Sequence, residues 1–101
     1  MLGTDQNSKL VDGGIVAEAK IALTNLGNVL SAAGTSFGNV VKTTVLVSDL
    51  NDFATVNDIY KQFFKEPYPA RVSYQVAKLP LGAKIEVDAI AIVGDLVTVE
   101  S

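Results

Sequence analysis

The 101 residues contain no histidine and no cysteine, so the usual general base, the thiol nucleophile and the commonest metal ligand are all missing. Chemistry must then fall to arginine, carboxylate and amide side chains. Arg71 stands out because it follows Pro67-Tyr68-Pro69-Ala70, and the fixed φ angles of two prolines stiffen the backbone that carries it. A guanidinium held in this way can grip a carboxylate through two parallel hydrogen bonds, which lysine cannot imitate. The competing reading is an ordinary salt bridge to Glu86 or Asp88. Glu86 lies between Ile85 and Val87. If its face is buried, it is placed to exchange a proton with water or a substrate; if exposed, it is a solvated strand carboxylate.

Other residues say less. Asn57, between the apolar Val56 and Tyr60, offers an amide that could orient a ligand or cap a loop. Phe53 opens the same segment, where aromatic residues at helical spacing are more often core than pocket. Gly13-Gly14 and Gly34 fit neither the dinucleotide fingerprint nor the phosphate loop, so no nucleotide cofactor is implied. Asp5, Asp12, Asp49 and Asp52 are scattered over turns and caps and give a metal site no support.

The elements that must position these groups follow from periodicity. From Val16 to Ala33, apolar residues fall at Ala19, Ala22, Leu23, Leu26, Val29, Leu30 and Ala33, one face of a helix, with Gly34 placed for a left-handed cap. Val40 to Val47 is short and β-branched, a strand expected at the centre of a sheet. Asp49, Asn51 and Asp52 are good helix starters; Phe53, Val56, Tyr60, Phe63 and Phe64 then repeat at helical spacing until Pro67 and Pro69 stop the pattern. Ala70 to Ala77 and Lys84 to Val93 alternate as strands.

Leu79-Pro80-Leu81-Gly82 reads as a turn, so the last two strands are expected to form an antiparallel hairpin. A register centred on Pro80 and Leu81 sets Gln75 opposite Glu86 and Ser73 opposite Asp88. Arg71, Ser73, Gln75, Glu86 and Asp88 then share one sheet face, and Val72, Tyr74, Val76, Ile85, Val87 and Ala89 share the face that the helices cover. Ile90 and Ile92 interrupt the polar face, which suits a subunit interface with a ligand cleft between protomers. The whole is an α+β layer, two helices on one face of a small sheet, in a single domain over residues 1–101.

Composition narrows the function classes. With 49% hydrophobic and 19% charged residues, the chain is an ordinary globular protein rather than a disordered or fibrous one. A net charge of −3 without any lysine or arginine run weighs against nucleic acid as the main ligand. No apolar run is long enough to cross a membrane, and Met1-Leu2-Gly3-Thr4-Asp5 is unlike a signal peptide. The expected location is cytoplasmic.

Asn39-Val40-Val41-Lys42-Thr43-Thr44-Val45, Asp49-Leu50-Asn51-Asp52-Phe53 with Val56-Asn57, Pro69-Ala70-Arg71, Val76-Ala77-Lys78-Leu79-Pro80 and Ile85-Glu86-Val87-Asp88-Ala89-Ile90-Ala91 together resemble the Rid family of reactive-intermediate deaminases. This family is also called YjgF or the perchloric-acid-soluble translation inhibitors. The resemblance runs from about Gly3 to Gly94. It implies a chorismate-mutase-like fold, a homotrimer with clefts between subunits, and hydrolysis of small carboxylate-bearing enamines and imines to 2-keto acids and ammonia, without metal or cofactor.

By the same resemblance Arg71 binds the substrate carboxylate, Glu86 orients or activates the attacking water, and Phe53, Asn57 and Ser73 line the pocket. Mitochondrial or nuclear presence also occurs in such a family. Its members carry a strand hairpin, with a cleft tyrosine, ahead of the segment matching Leu2-Gly3-Thr4-Asp5, so the N-terminal strands are expected to be missing here. Two further readings stand beside the deaminase: an endoribonuclease-type translation inhibitor, and a non-catalytic ligand-binding or chaperone-like oligomer.

Overall fold

The computed structural model describes residues 1–95; residues 96–101 of the expected domain lie outside them. The first helix, α1, runs Gly14–Ala32. Ala19, Ala22, Leu23, Leu26 and Leu30 are buried along one stripe, and each leucine so placed is worth about 1.5–3 kcal/mol of transfer free energy. The helix stops at Gly34, whose φ of 81° is left-handed, where the Thr35 amide turns back to the Leu30 carbonyl at 2.9 Å. Strand β1 is Val40–Val47. A short 3-10 turn, Leu50–Asp52, is capped by the Asp49 carboxylate accepting from the Asn51 amide, and leads into α2, Phe53–Phe63. Strand β2 is Ala70–Gln75 and β3 is Ile85–Ala91.

The sheet order is β2-β1-β3. Strand β1 pairs with β2 in parallel and with β3 antiparallel, so the crossover between β1 and β2 is α2 itself. The β-branched run at 40–47 is central, as its composition implies, and it displaces the expected hairpin: β2 and β3 never pair. Leu79-Pro80-Leu81-Gly82 does turn, with a 3-10 turn at Pro80–Gly82, but it carries the chain past β1 rather than back along β2. A central strand satisfies backbone groups on both its sides, which a terminal hairpin would leave open on one.

This order also corrects the faces. Thr43 is level with Arg71 and Ala89, Val45 with Ser73 and Val87, and Val47 with Gln75 and Ile85. Thr43, Val45, Val47, Ile85 and Val87 are buried, so Arg71, Ser73 and Gln75 lie on the helix-covered face. The opposite rows join Thr44 to Val72 and Asp88, and Leu46 to Tyr74 and Glu86. Val72 and Tyr74, expected under the helices, are 45% and 49% exposed. Alternation separates the two faces of a strand but does not say which faces the core.

At the outer edge of β3, the Met1 amino group donates to the Val87 carbonyl at 2.6 Å and the Val87 amide to the Met1 carbonyl at 2.9 Å. Ahead of α1 the polar residues 3–8 lie within a compact turn: Thr4 bridges Leu10, and the Asp5 carboxylate accepts from the amides of Asn7 and Lys9.

Candidate functional site

Helix α2 carries Phe53, Asn57 and Tyr60 at offsets of four and three, hence on one face, and that face meets the Arg71 end of β2. The guanidinium carbon of Arg71 lies 5.4 Å from the centroid of Phe53 and 4.9 Å from that of Tyr60, within the range of cation–π attraction. Neither Glu86 nor Asp88 pairs with it. Asp88 instead meets the Met1 amino group at 3.4 Å, and among the described residues Arg71 has no carboxylate partner. Contact with ring faces uses none of its N–H donors, so the fork remains available to an incoming anion.

A pocket of about 340 Å³ opens beside it, lined by Asn57, Tyr60, Lys61, Tyr68, Pro69 and Arg71. Two cations and no acid line it, so an anion is favoured there in a chain that is acidic overall. Asn57 Oδ1 and Ser73 Oγ are buried without a hydrogen-bond partner in the described residues. Such groups are rare in folded proteins and mark places where a ligand or water is wanted.

The Tyr60 hydroxyl is 2.9 Å from Thr43 Oγ1 in a buried contact. Burial pushes the Tyr60 hydroxyl above its ordinary value, against the lowering effects of the Thr43 hydrogen bond and the Arg71 charge. The phenol is therefore neutral at pH 7. Its ring is stacked on Phe64 with centroids 4.4 Å apart, and Phe64 meets Phe37 edge-on at 5.0 Å.

The structure thus assembles Arg71, Phe53 and Asn57, with Ser73 two residues further along β2 on the same face. Glu86 is not among them. It sits in the row of Leu46 and Tyr74 on the open face, so within one chain the arginine and the glutamate look away from each other. Tyr60 and Tyr68 are pocket residues that the sequence placed only in helix patterning and in the proline-bounded segment, and Lys61 is a pocket residue that it did not single out. The Tyr60 signal lay in its offset of three from Asn57. Among the described residues no group of acidic side chains is arranged to hold a metal ion, and no helix is long and apolar enough to cross a membrane.

Comparison with known proteins adds the following. The family model described as Endoribonuclease L-PSP matches residues 1–93. A human protein named 2-iminobutanoate/2-iminopropanoate deaminase is 59% identical over 98 residues, covering 96% of this chain and 72% of that one. The protein of the same name from Mus musculus is 57% identical over 97 residues, with 95% and 72% coverage. Among solved structures, E. coli TdcF with bound serine superposes with a TM-score of 0.83 at 41% identity, covering 90% of this chain and 74% of that one. RidA from an Antarctic Psychrobacter bacterium gives 0.86 at 39%, with 90% and 74% coverage.

Proposed function

The chain belongs to the Endoribonuclease L-PSP family, the Rid/YjgF proteins, and on that footing we propose that it hydrolyses small 2-imino acids, such as 2-iminobutanoate and 2-iminopropanoate, to 2-oxo acids and ammonia. The observation that carries this reading is the Arg71 guanidinium, free of any acidic partner in the described residues and seated over Phe53 and Tyr60 at the mouth of an anion-favouring pocket.

Arg71 takes the substrate carboxylate. That fixes the adjacent C2, already electrophilic as an imine carbon, and leaves positioning as most of what catalysis requires. Water adds to C2 and the C=N π electrons move to nitrogen. Glu86 accepts the proton that water releases and returns it to nitrogen, giving the carbinolamine. Glu86 then takes the carbinolamine hydroxyl proton and passes it to nitrogen as the C2–N bond breaks and the C2=O bond forms, so that the 2-oxo acid and ammonia leave. A positioned acid–base group of this kind contributes roughly 10²–10⁴ in rate. Asn57 Oδ1, buried and unpartnered, is an acceptor for the imine N–H or for the attacking water.

Because Glu86 faces away from Arg71 in one chain, the site is completed by a neighbouring copy. The open sheet face supports such a neighbour: Val72, Tyr74 and Ile90 are 45%, 49% and 58% exposed and share that face with Glu86 and Asp88, the mixture found at interfaces. We place three copies in a ring, so that every cleft receives Arg71 from one protomer and Glu86 from the next.

The direct test generates 2-iminobutanoate in situ with a threonine dehydratase and follows its disappearance with and without the protein. Faster loss with wild type, and spontaneous rates with Arg71→Ala and Glu86→Gln, are expected. Wild type without effect refutes the reading.

A further inference from the structure

We infer that Tyr60, held by Thr43, is a positioning residue for the carboxylate-binding arginine, the last member of an aromatic stack that runs from the core to the pocket. The inference rests on the reading of Arg71 as the carboxylate anchor and assigns a role to two residues that do not touch the reacting atoms.

An arginine on an edge strand has many rotamers and a long stem, and holding it still costs conformational entropy. Arg71 follows two prolines, but these fix only its backbone. Nothing acidic in the described residues fixes its head. The aromatic rings do. Phe37 meets Phe64 edge-on at 5.0 Å, Phe64 stacks on Tyr60 at 4.4 Å with planes 20° apart, and the guanidinium carbon lies 4.9 Å from the Tyr60 centroid. Phe64 is 1% exposed, so the stack is rooted in packed interior where rings do not drift.

Thr43 adds the remaining constraint. It sits on β1 level with Arg71 on β2, is 1% exposed, and shares a hydrogen bond with the Tyr60 hydroxyl at 2.9 Å. The bond pins the ring's far end to the strand beside Arg71, so helix α2 and strands β1 and β2 jointly set where the cation lies. An acidic partner would hold Arg71 equally well and would neutralise it. A ring face holds it and leaves its charge and donors for the ligand.

The test uses the full chain and two readouts. First, Arg71 side-chain protons are followed by NMR: ring currents of Tyr60 and Phe53 should shift them upfield in wild type, the shift should fall in Tyr60→Leu to the part that Phe53 supplies, and it should fall by less in Thr43→Val. Second, affinity is measured for 2-oxobutanoate and for its uncharged amide. Loss of a cation–π contact predicts that Tyr60→Leu weakens binding of the acid about two- to fivefold more than binding of the amide; a merely structural defect weakens both alike. An Arg71 shift that is undiminished in Tyr60→Leu, or equal losses for acid and amide, overturns the inference. A wild-type shift that depends on Tyr60 and Thr43, in a protein that speeds no imine hydrolysis, upholds the positioning and refutes the proposed reaction alone.

Discussion

Mixing two inactive variants should restore activity. In one chain, Arg71 is level with Thr43 on the helix side of the sheet and Glu86 is level with Leu46 on the open side. The two positions are separated along β1 by about 10 Å at 3.3 Å per residue, and their side chains project to opposite faces. A substrate whose carboxylate and imine carbon are directly bonded cannot span that separation through the sheet. On the proposed reading, each site draws Arg71 and Glu86 from different copies. In a ring assembled at random from equal amounts of Arg71→Ala and Glu86→Gln chains, a site is intact when its arginine donor is the glutamine variant and its glutamate donor the alanine variant. That occurs in about one site in four, whatever the ring size, because the interfaces are head-to-tail. The assay is dehydratase-coupled imine loss after the variants are unfolded and refolded together, with each variant refolded alone as the baseline. Recovery to about a quarter of wild-type activity is expected. Co-refolded chains that exchange subunits and stay at baseline would show that both residues act within one protomer, and the argument from sheet faces would be wrong.

Phe64→Ala removes the buried middle of the aromatic stack and should cost about 3–5 kcal/mol, read as a lower urea midpoint; a change under 1 kcal/mol would mean that the Phe37–Phe64–Tyr60 contacts contribute little. Gly3→Ala would set a Cβ 2.5 Å from the Glu18 carbonyl oxygen and 2.6 Å from its Cα, a backbone clash no side-chain rotation relieves, so thermal unfolding should move down by the equivalent of roughly 1–3 kcal/mol. Burial raises Tyr60 above its ordinary 10.0, so the folded state keeps a proton that the unfolded chain loses from pH 10 upward. The stability this contributes is complete below pH 10 and is lost as pH rises through the folded value. Urea titrations across that range should show a shallower alkaline decline in Tyr60→Phe, and identical slopes would remove Tyr60 as the cause.

Much of this organisation was legible in the residues because each signal had a local cause. The apolar stripe of α1 and its stop at Gly34, the Asp49 cap, the proline-bounded end of α2 and the central place of Val40–Val47 all follow from backbone chemistry within a few positions. Strand partners do not. Nothing in Ala70 to Ala77 or Lys84 to Val93 distinguishes pairing with each other from pairing with β1 on either side, because the alternation is the same in both arrangements and only the competition for one central strand decides it. The face error in β2 has the same root: Val72 and Tyr74 are the more apolar set, yet they lie opposite the helices.

That inversion is informative about function. A strand that turns Arg71, Ser73 and Gln75 toward its own helices and Val72 and Tyr74 outward has its burial pattern reversed for a solitary domain. A second copy against the open face would cover Val72 and Tyr74, while the polar side, between β2 and α2, keeps Arg71 over its rings and Ser73 and Asn57 unpartnered beneath it. Burial that is reversed for a monomer and sound for an assembly is what the proposed site between copies calls for.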